Sequence, residues 1–300
     1  MFDQVKGQPA AVATLQAALR SGRVHHAYRF EGPRGVGKEL CALAFANALI
    51  GNPPGQTTHP DLVFIGRGLY RDGGVEASEL TGISVEQIRK VVLSRVGFAP
   101  HQGKALVFIV READELTTSA ANALLKTLEE PRPHVHFLLL TNNPDRLLDT
   151  VRSRTLPVRF GPLPQAVIAD LLRAAGKPVE LAALAEGSAH LAFLLAEDQE
   201  LHNREEFIQS ATGAITAAHF AAALDVASDL PKQRDALCEQ LRALCQHFAV
   251  AARHVVGTNP NEAVQSAQRF ACTAEALRSI ERNGQPALVI ESLLSQLRRT

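Results

Sequence analysis

His26-Ala27-Tyr28-Arg29-Phe30-Glu31-Gly32-Pro33-Arg34-Gly35-Val36-Gly37-Lys38 joins a short strand-like run to a glycine-rich turn, and the helix-forming stretch ELCALAFANALI (39–50) follows at once. Gly32 to Lys38 fits G-x-x-x-x-G-K. In that pattern the glycines let backbone N–H groups turn inward around phosphates, and the lysine reaches their outer oxygens. The positive end of the next helix points at the same spot. Three fixed positions of common residue types arise by chance in about one chain in ten of this length. The placement between a strand and a helix therefore carries the reading of a phosphate-binding loop.

Outward from this loop, residues 62–65, 105–110 (ALVFIV), 136–140 and 156–160 read as further strands, with helical spacing at 85–94 and 118–128. Continuous apolar runs such as ALVFIV suit strands buried on both faces, and strand–helix alternation argues for an α/β fold with a parallel, doubly wound sheet. The composition shifts at Gly161-Pro162-Leu163-Pro164. Three short helices are expected at 165–175, 179–185 and 189–196, and a longer all-helical part from about Asn203, interrupted near Asp229-Leu230-Pro231, Gly257-Thr258-Asn259-Pro260 and Asn283-Gly284-Gln285-Pro286. The expected organisation is a nucleotide-binding α/β domain at 1–161, a small helical domain at 162–202 and an all-α domain at 203–300.

Composition narrows the function classes. The 300 residues are 46% apolar and 21% charged, which excludes a disordered chain. Thirty-one basic side chains balance 31 acidic ones, so nothing suggests a bulk nucleic-acid binder. With no Trp and two Tyr there is little material for stacking on single strands. Cys41, Cys238, Cys245 and Cys272 form no C-x-x-C pair, and Cys41 and Cys245 fall in apolar helical runs, so buried thiols in a reducing cytoplasm are expected rather than a zinc or redox site. The N-terminus lacks the pattern of a signal peptide, and no apolar run reaches the length of a membrane span.

The loop's metal-binding partners are missing. The residue after Lys38 should be Ser or Thr, whose hydroxyl holds Mg²⁺; here it is Glu39. After ALVFIV an Asp and a Glu should orient the metal shell and polarise water, but the sequence reads Arg111-Glu112-Ala113-Asp114-Glu115. Arg111 repels a cation, and Glu112 keeps the water-polarising place. A register using Asp114 and Glu115 puts them past the strand, where capping the next helix or facing solvent is the plainer reading. Asn142, after HFLLLT, can contact a γ-phosphate or simply form a strand-end turn. Val151-Arg152-Ser153-Arg154-Thr155 reads either as a basic turn or as an arginine finger offered to a neighbour's triphosphate.

Several stretches together are similar to one family. VKGQ (5–8), HAYRFEGPRGVGK (26–38), HPDL (59–62), ISVEQIRK (83–90), NALLKTLEEP (122–131), FLLLTNN (137–143), RSRT (152–155) and NGQPALVIESLL (283–294) resemble the delta-prime subunits of bacterial DNA polymerase III clamp loaders, AAA+ relatives of the replication-factor-C small subunits. The resemblance is dense over 1–160 and thinner beyond. It implies a AAA+ nucleotide-binding domain, a helical lid and a helical collar that assembles a hetero-pentamer with gamma/tau and delta subunits. Through that complex the chain would act on the sliding clamp and primer–template DNA. It implies a non-catalytic stator whose finger is Arg154, with Ser153 beside it and Thr155 in the place of the family's Cys. The nucleotide-binding set would be Val5, Gly32, Pro33, Gly35, Gly37, Lys38, Glu39, Glu112 and Asn142, for ATP or ADP at a loop with reduced capacity. The four-cysteine zinc module of many relatives is absent from GNPPGQTTHPDL, so no zinc is expected, and His190 stands where motor subunits carry a phosphate-sensing arginine. Two other readings remain open: an active motor ATPase using Glu39 with Glu112 or Asp114, and a stand-alone nucleotide-binding switch.

Overall fold

A computed structural model describes residues 1–67, 82–216, 226, 230–231, 234–256, 258–282 and 284–300, without the side chains of 198–203, 216 and 235. Of the expected interruptions in the C-terminal part, Asp229, Gly257 and Asn283 lie outside the described residues.

Five strands, β1 (Ala27–Glu31), β2 (Leu62–Ile65), β3 (Leu106–Val110), β4 (Val135–Thr141) and β5 (Leu156–Arg159), form one sheet in the order β2-β3-β4-β1-β5. Every pairing is parallel. Every residue of β3 and β4 is buried, matching the apolar run of β3 and the FLLL run of β4, with His136 and Thr141 as buried polar residues. The edge strand β5 exposes three of its four residues and carries Pro157, which an edge tolerates because the missing donor breaks no ladder there. Phe108 and Phe137 stack between β3 and β4 with ring centroids 5.1 Å apart, at the centre of the core.

Helix α1 (Pro9–Ser21) precedes β1, and α2 (Lys38–Ile50) leaves the glycine loop directly. Helix α2 is apolar nearly all round and buries Cys41, Phe45 and Ile50. Burial pushes the Cys41 thiol up to about 12, so it stays protonated and packs as a small apolar group. The helix expected at 85–94 begins as a short α-turn, α3 (Val85–Gln87), and continues as a π-helical stretch, Ile88–Leu93. Helix α4 (Thr118–Glu129) is capped by Thr117, whose hydroxyl accepts from Ala120 N at 3.2 Å. Asp114 and Glu115 therefore do not cap it. They lie in a 3₁₀ turn, Ala113–Glu115, that follows β3.

Asp61, from the HPDL stretch, fixes the approach to β3. Its buried carboxylate accepts from the backbone N–H groups of His101 (2.5 Å), Gln102 (2.8 Å) and Gly103 (2.7 Å). Burial raises this carboxyl, but the three donors and nearby His59 outweigh it and hold it below the ordinary value of 3.8.

The chain divides into two compact units, Met1–Ala196 and Glu197–Thr300. Past β5 the first unit holds α5's successors: α6 (Gln165–Ala174), a 3₁₀ segment (Val179–Ala183) and α7 (Ala189–Leu195), where α5 is the single turn Asp149–Arg152. The described residues of the second unit form the helices Asp198–Thr216, Arg234–Val255, Pro260–Glu281 and Pro286–Leu297 and no strand. Its core gathers Leu237, Leu241, Leu244, Phe248, Ile280 and Leu293, and Arg242 pairs with Glu239 and Glu281 at 2.8 Å each.

Candidate nucleotide pocket and arginine turn

The register Glu31↔Thr141 sets Gly32 beside the end of β4, with Gly32 N donating to Thr141 O at 3.3 Å. Parallel strands carry their ligands outside their C-terminal ends, where the strand order reverses. Here that edge presents the loop 32–37, Arg111 and Glu112 after β3, and Asn142 after β4.

A cavity of about 440 Å³ opens at this edge, within the size range of small-ligand sites. Gly35, Gly37, Lys38, Glu39, Glu112 and Asn142 line it, together with Arg111 and His190. Val5, Gly32 and Pro33 do not line it; Gln4 and Lys6 do. The carbonyls of Gly32 and Pro33 instead face Lys38, whose Nζ donates to both at 2.6 Å and to Asn142 Oδ1 at 2.8 Å. Burial pulls the Lys38 amine down to about 8, against the raising effect of Asp114, and Arg34 lowers it further. Asn142 thus holds the lysine, and its own N–H donates to Asp114 Oδ1 at 3.3 Å.

The two residues that break the magnesium site meet each other. Arg111 Nη2 is ion-paired and hydrogen-bonded to Glu39 Oε1. The guanidinium lies over the Phe64 ring, with Cζ 4.6 Å from its centroid. The carboxylate at the hydroxyl position is already engaged by a cation at the aspartate position, so these residues do not fit a divalent ion. Read along the chain the two substitutions look like separate losses; in space they are one ion pair. Glu112 adopts a left-handed backbone (φ 48), an uncommon conformation for a residue with a side chain.

Helix α7 lies against the loop. Ala189 N donates to Gly35 O at 3.0 Å, and a Cβ on Gly35 would stand 2.5 Å from His190 Cβ, so only glycine permits this approach. Gln8, the last residue of VKGQ, is buried and bridges the same region: its Nε2 donates to Val36 O (3.2 Å) and Gly161 O (2.7 Å), and its Oε1 accepts from Gly161 N (3.2 Å). Sequence reasoning matched this stretch without giving Gln8 a task.

Arg154 and Ser153 lie elsewhere. The register Tyr28↔Leu156 puts them beyond the N-terminal end of β1, whereas Gly32 follows its C-terminal end. Five strand residues at about 3.3 Å each separate the two sites by roughly 15 Å or more. Arg154 Nη2 pairs with Glu129 Oε1 at 2.6 Å, and Nη1 donates to Thr150 O (2.9 Å) and Ser153 Oγ (3.2 Å). A second arginine builds the turn from beneath. Arg29, buried in β1, pairs with Glu31 at 2.5 Å and donates through Nη1 to Arg152 O (2.8 Å) and Thr155 Oγ1 (2.7 Å). The buried Thr155 hydroxyl in turn donates to Val151 O at 3.0 Å. An arginine inside the otherwise apolar run AYRF was the available signal for this role.

Thr155→Val removes that hydroxyl while keeping the shape, and leaves an Arg29 donor short of one partner. The expected loss is about 1–2 kcal/mol of stability, read as a lower urea midpoint. Thr155→Ser should retain the hydrogen bonds and lose less. Equal midpoints for wild type and Thr155→Val would remove the hydroxyl from this account.

Among known proteins, residues 7–164 match the family described as DNA polymerase III, delta subunit. The chain is 38% identical over 177 residues to the gamma/tau subunit of DNA polymerase III from Mycobacterium tuberculosis, an alignment covering 57% of this chain and 30% of the relative. It is 31% identical over 218 residues to the delta-prime subunit from Bacillus subtilis, covering 68% of this chain and 61% of the relative. It thus spans less than two thirds of the length of either relative. A gamma-subunit-related protein of DNA polymerase III from Thermotoga maritima is similar in structure at 19% identity, with a TM-score of 0.48 over 95% of this chain and 98% of that one. Since the matched segment takes in more than half of the 300 residues, the chain belongs to the DNA polymerase III delta subunit family.

Proposed function

We propose that this chain is a non-catalytic subunit of the DNA polymerase III clamp loader, and that Arg154 is its arginine finger, offered in trans to the ATP of a neighbouring motor subunit. The observation that carries this reading is the placement of Arg154 at the opposite end of β1 from the chain's own phosphate loop. From there the guanidinium is out of reach of a phosphate on Lys38 but open to a neighbour. The Arg111–Glu39 pair supports a subunit without its own turnover, because the carboxylate at the metal-binding hydroxyl position is held by a guanidinium. On this reading residues 1–161 act as the ATPase-like body, 162–202 as its lid and 203–300 as the collar that joins gamma/tau and delta subunits. Contact with the sliding clamp and primer–template DNA then comes through the complex, in the cytoplasm.

Co-expression with the gamma/tau and delta subunits tests the assignment. The chain is expected to co-elute with them as one complex on size exclusion; elution as a separate species at micromolar concentration would overturn it. The higher identity to gamma/tau relatives favours a second reading, an active motor. Single-turnover hydrolysis by the purified chain separates the two: Mg²⁺-dependent turnover abolished by Lys38→Ala belongs to a motor, and its absence to the stator.

A further inference from the structure

The cavity at the phosphate loop has a charge pattern of its own. Its lining carries four cations, Lys6, Arg34, Lys38 and Arg111, against two acids, Glu39 and Glu112, a net of +2 without any metal. The loop's lower wall is polar, while Leu163 and Leu171 give it an apolar wall. A polyphosphate joined to a planar apolar base matches both features. What the site lacks is room for a divalent ion, because a guanidinium already stands there.

We propose that Arg111 replaces the divalent cation, so that this pocket takes a nucleoside diphosphate or triphosphate as the metal-free anion. The guanidinium offers five donors in a fixed fork. One end is on Glu39, and the stack over Phe64 holds the plane. Arg111 Nε is shielded from solvent and has no hydrogen-bond partner among the described residues, so the fork is not saturated by Glu39. A phosphate oxygen entering between Lys38 and Arg111 gains a charge-assisted partner from each. It also draws the Lys38 ammonium from the carbonyls of Gly32 and Pro33 toward the phosphate. A magnesium-bound nucleotide brings a hydrated dication toward the guanidinium and loses in repulsion what it gains from the loop. The inference concerns this pocket alone and stands or falls apart from the role of Arg154.

Isothermal titration of the full chain with ADP, and with a non-hydrolysable ATP analogue, in EDTA and in excess MgCl₂, decides it. Binding in EDTA is expected, about tenfold tighter than in MgCl₂ for the triphosphate. Arg111→Gln should weaken binding in EDTA by about tenfold or more, and Glu39→Gln, which releases the fork, should tighten it. Binding that requires Mg²⁺, equal affinity with and without it, or no heat in either condition overturns the proposal, and these outcomes are read on the unmodified chain.

Discussion

Arg154→Ala is expected to slow ATP turnover at the neighbouring subunit's site in the reconstituted clamp loader by about 10³-fold or more, the range in which a missing arginine finger acts in related phosphoryl transfer. The effect should be read in the DNA-stimulated rate of the whole complex, because on the proposed reading it is the neighbouring subunit that turns over. What makes the experiment clean is the small structural role of this side chain. Its pair with Glu129 is half exposed, and such pairs are worth about 0–1 kcal/mol. Folding and assembly should therefore be unchanged, checked by the urea midpoint and by co-elution. Arg154→Lys keeps the charge but loses the planar fork, and should fall between the two. An Arg154→Ala complex with wild-type turnover would falsify the finger. Glu129→Gln is a useful companion: it frees the guanidinium from its carboxylate without touching the turn that Arg29 and Thr155 build.

The second large effect falls on stability. Asp61→Ala takes the shared acceptor from three backbone donors, those of His101, Gln102 and Gly103, and a hydrogen bond to a charged group contributes about 1.5–3 kcal/mol. A loss of about 3 kcal/mol or more is expected, which is a large share of a domain's total. Asp61→Asn keeps one acceptor oxygen and should lose less. The same carboxylate sets a pH dependence. Because its folded value lies below 3.8, the unfolded chain binds the extra proton first, so the stabilisation is complete above that value and disappears as pH falls through the folded one. Urea midpoints of the wild type should therefore drop more steeply below about pH 4 than those of Asp61→Asn. Parallel slopes would mean that Asp61 does not titrate as a folded-state anion.

Why some of this could be read in the chain and some not follows from the range of the interactions. All five strands were legible, the central ones because a strand buried on both faces is largely apolar, as in Leu106–Val110 and the FLLL run of β4. The glycine loop was legible because its pattern is local. Pairing across the sheet was not. Glu39 and Arg111 are 72 positions apart, and nothing in either segment says that they touch. The same holds for Arg29 and Thr155, joined over 126 positions. The capping residue before α4 was misjudged for a different reason: Asp114, Glu115 and Thr117 are all plausible caps by type, and only the 3₁₀ turn at Ala113–Glu115 leaves the role to Thr117. The π-helical stretch at Ile88–Leu93 has the same apolar periodicity as an α-helix over so short a span.

The opposite placement of the phosphate loop and Arg154 along one parallel sheet gives the subunit a direction, like the two poles of a battery. If Arg154 is the proposed finger, a neighbour that meets its end presents a loop end, and successive subunits join head to tail. In such a row each completed site sits between two chains. On the proposed reading, a member with a finger to give and no magnesium site of its own is a terminus: it adds one arginine to the row and no hydrolytic cycle.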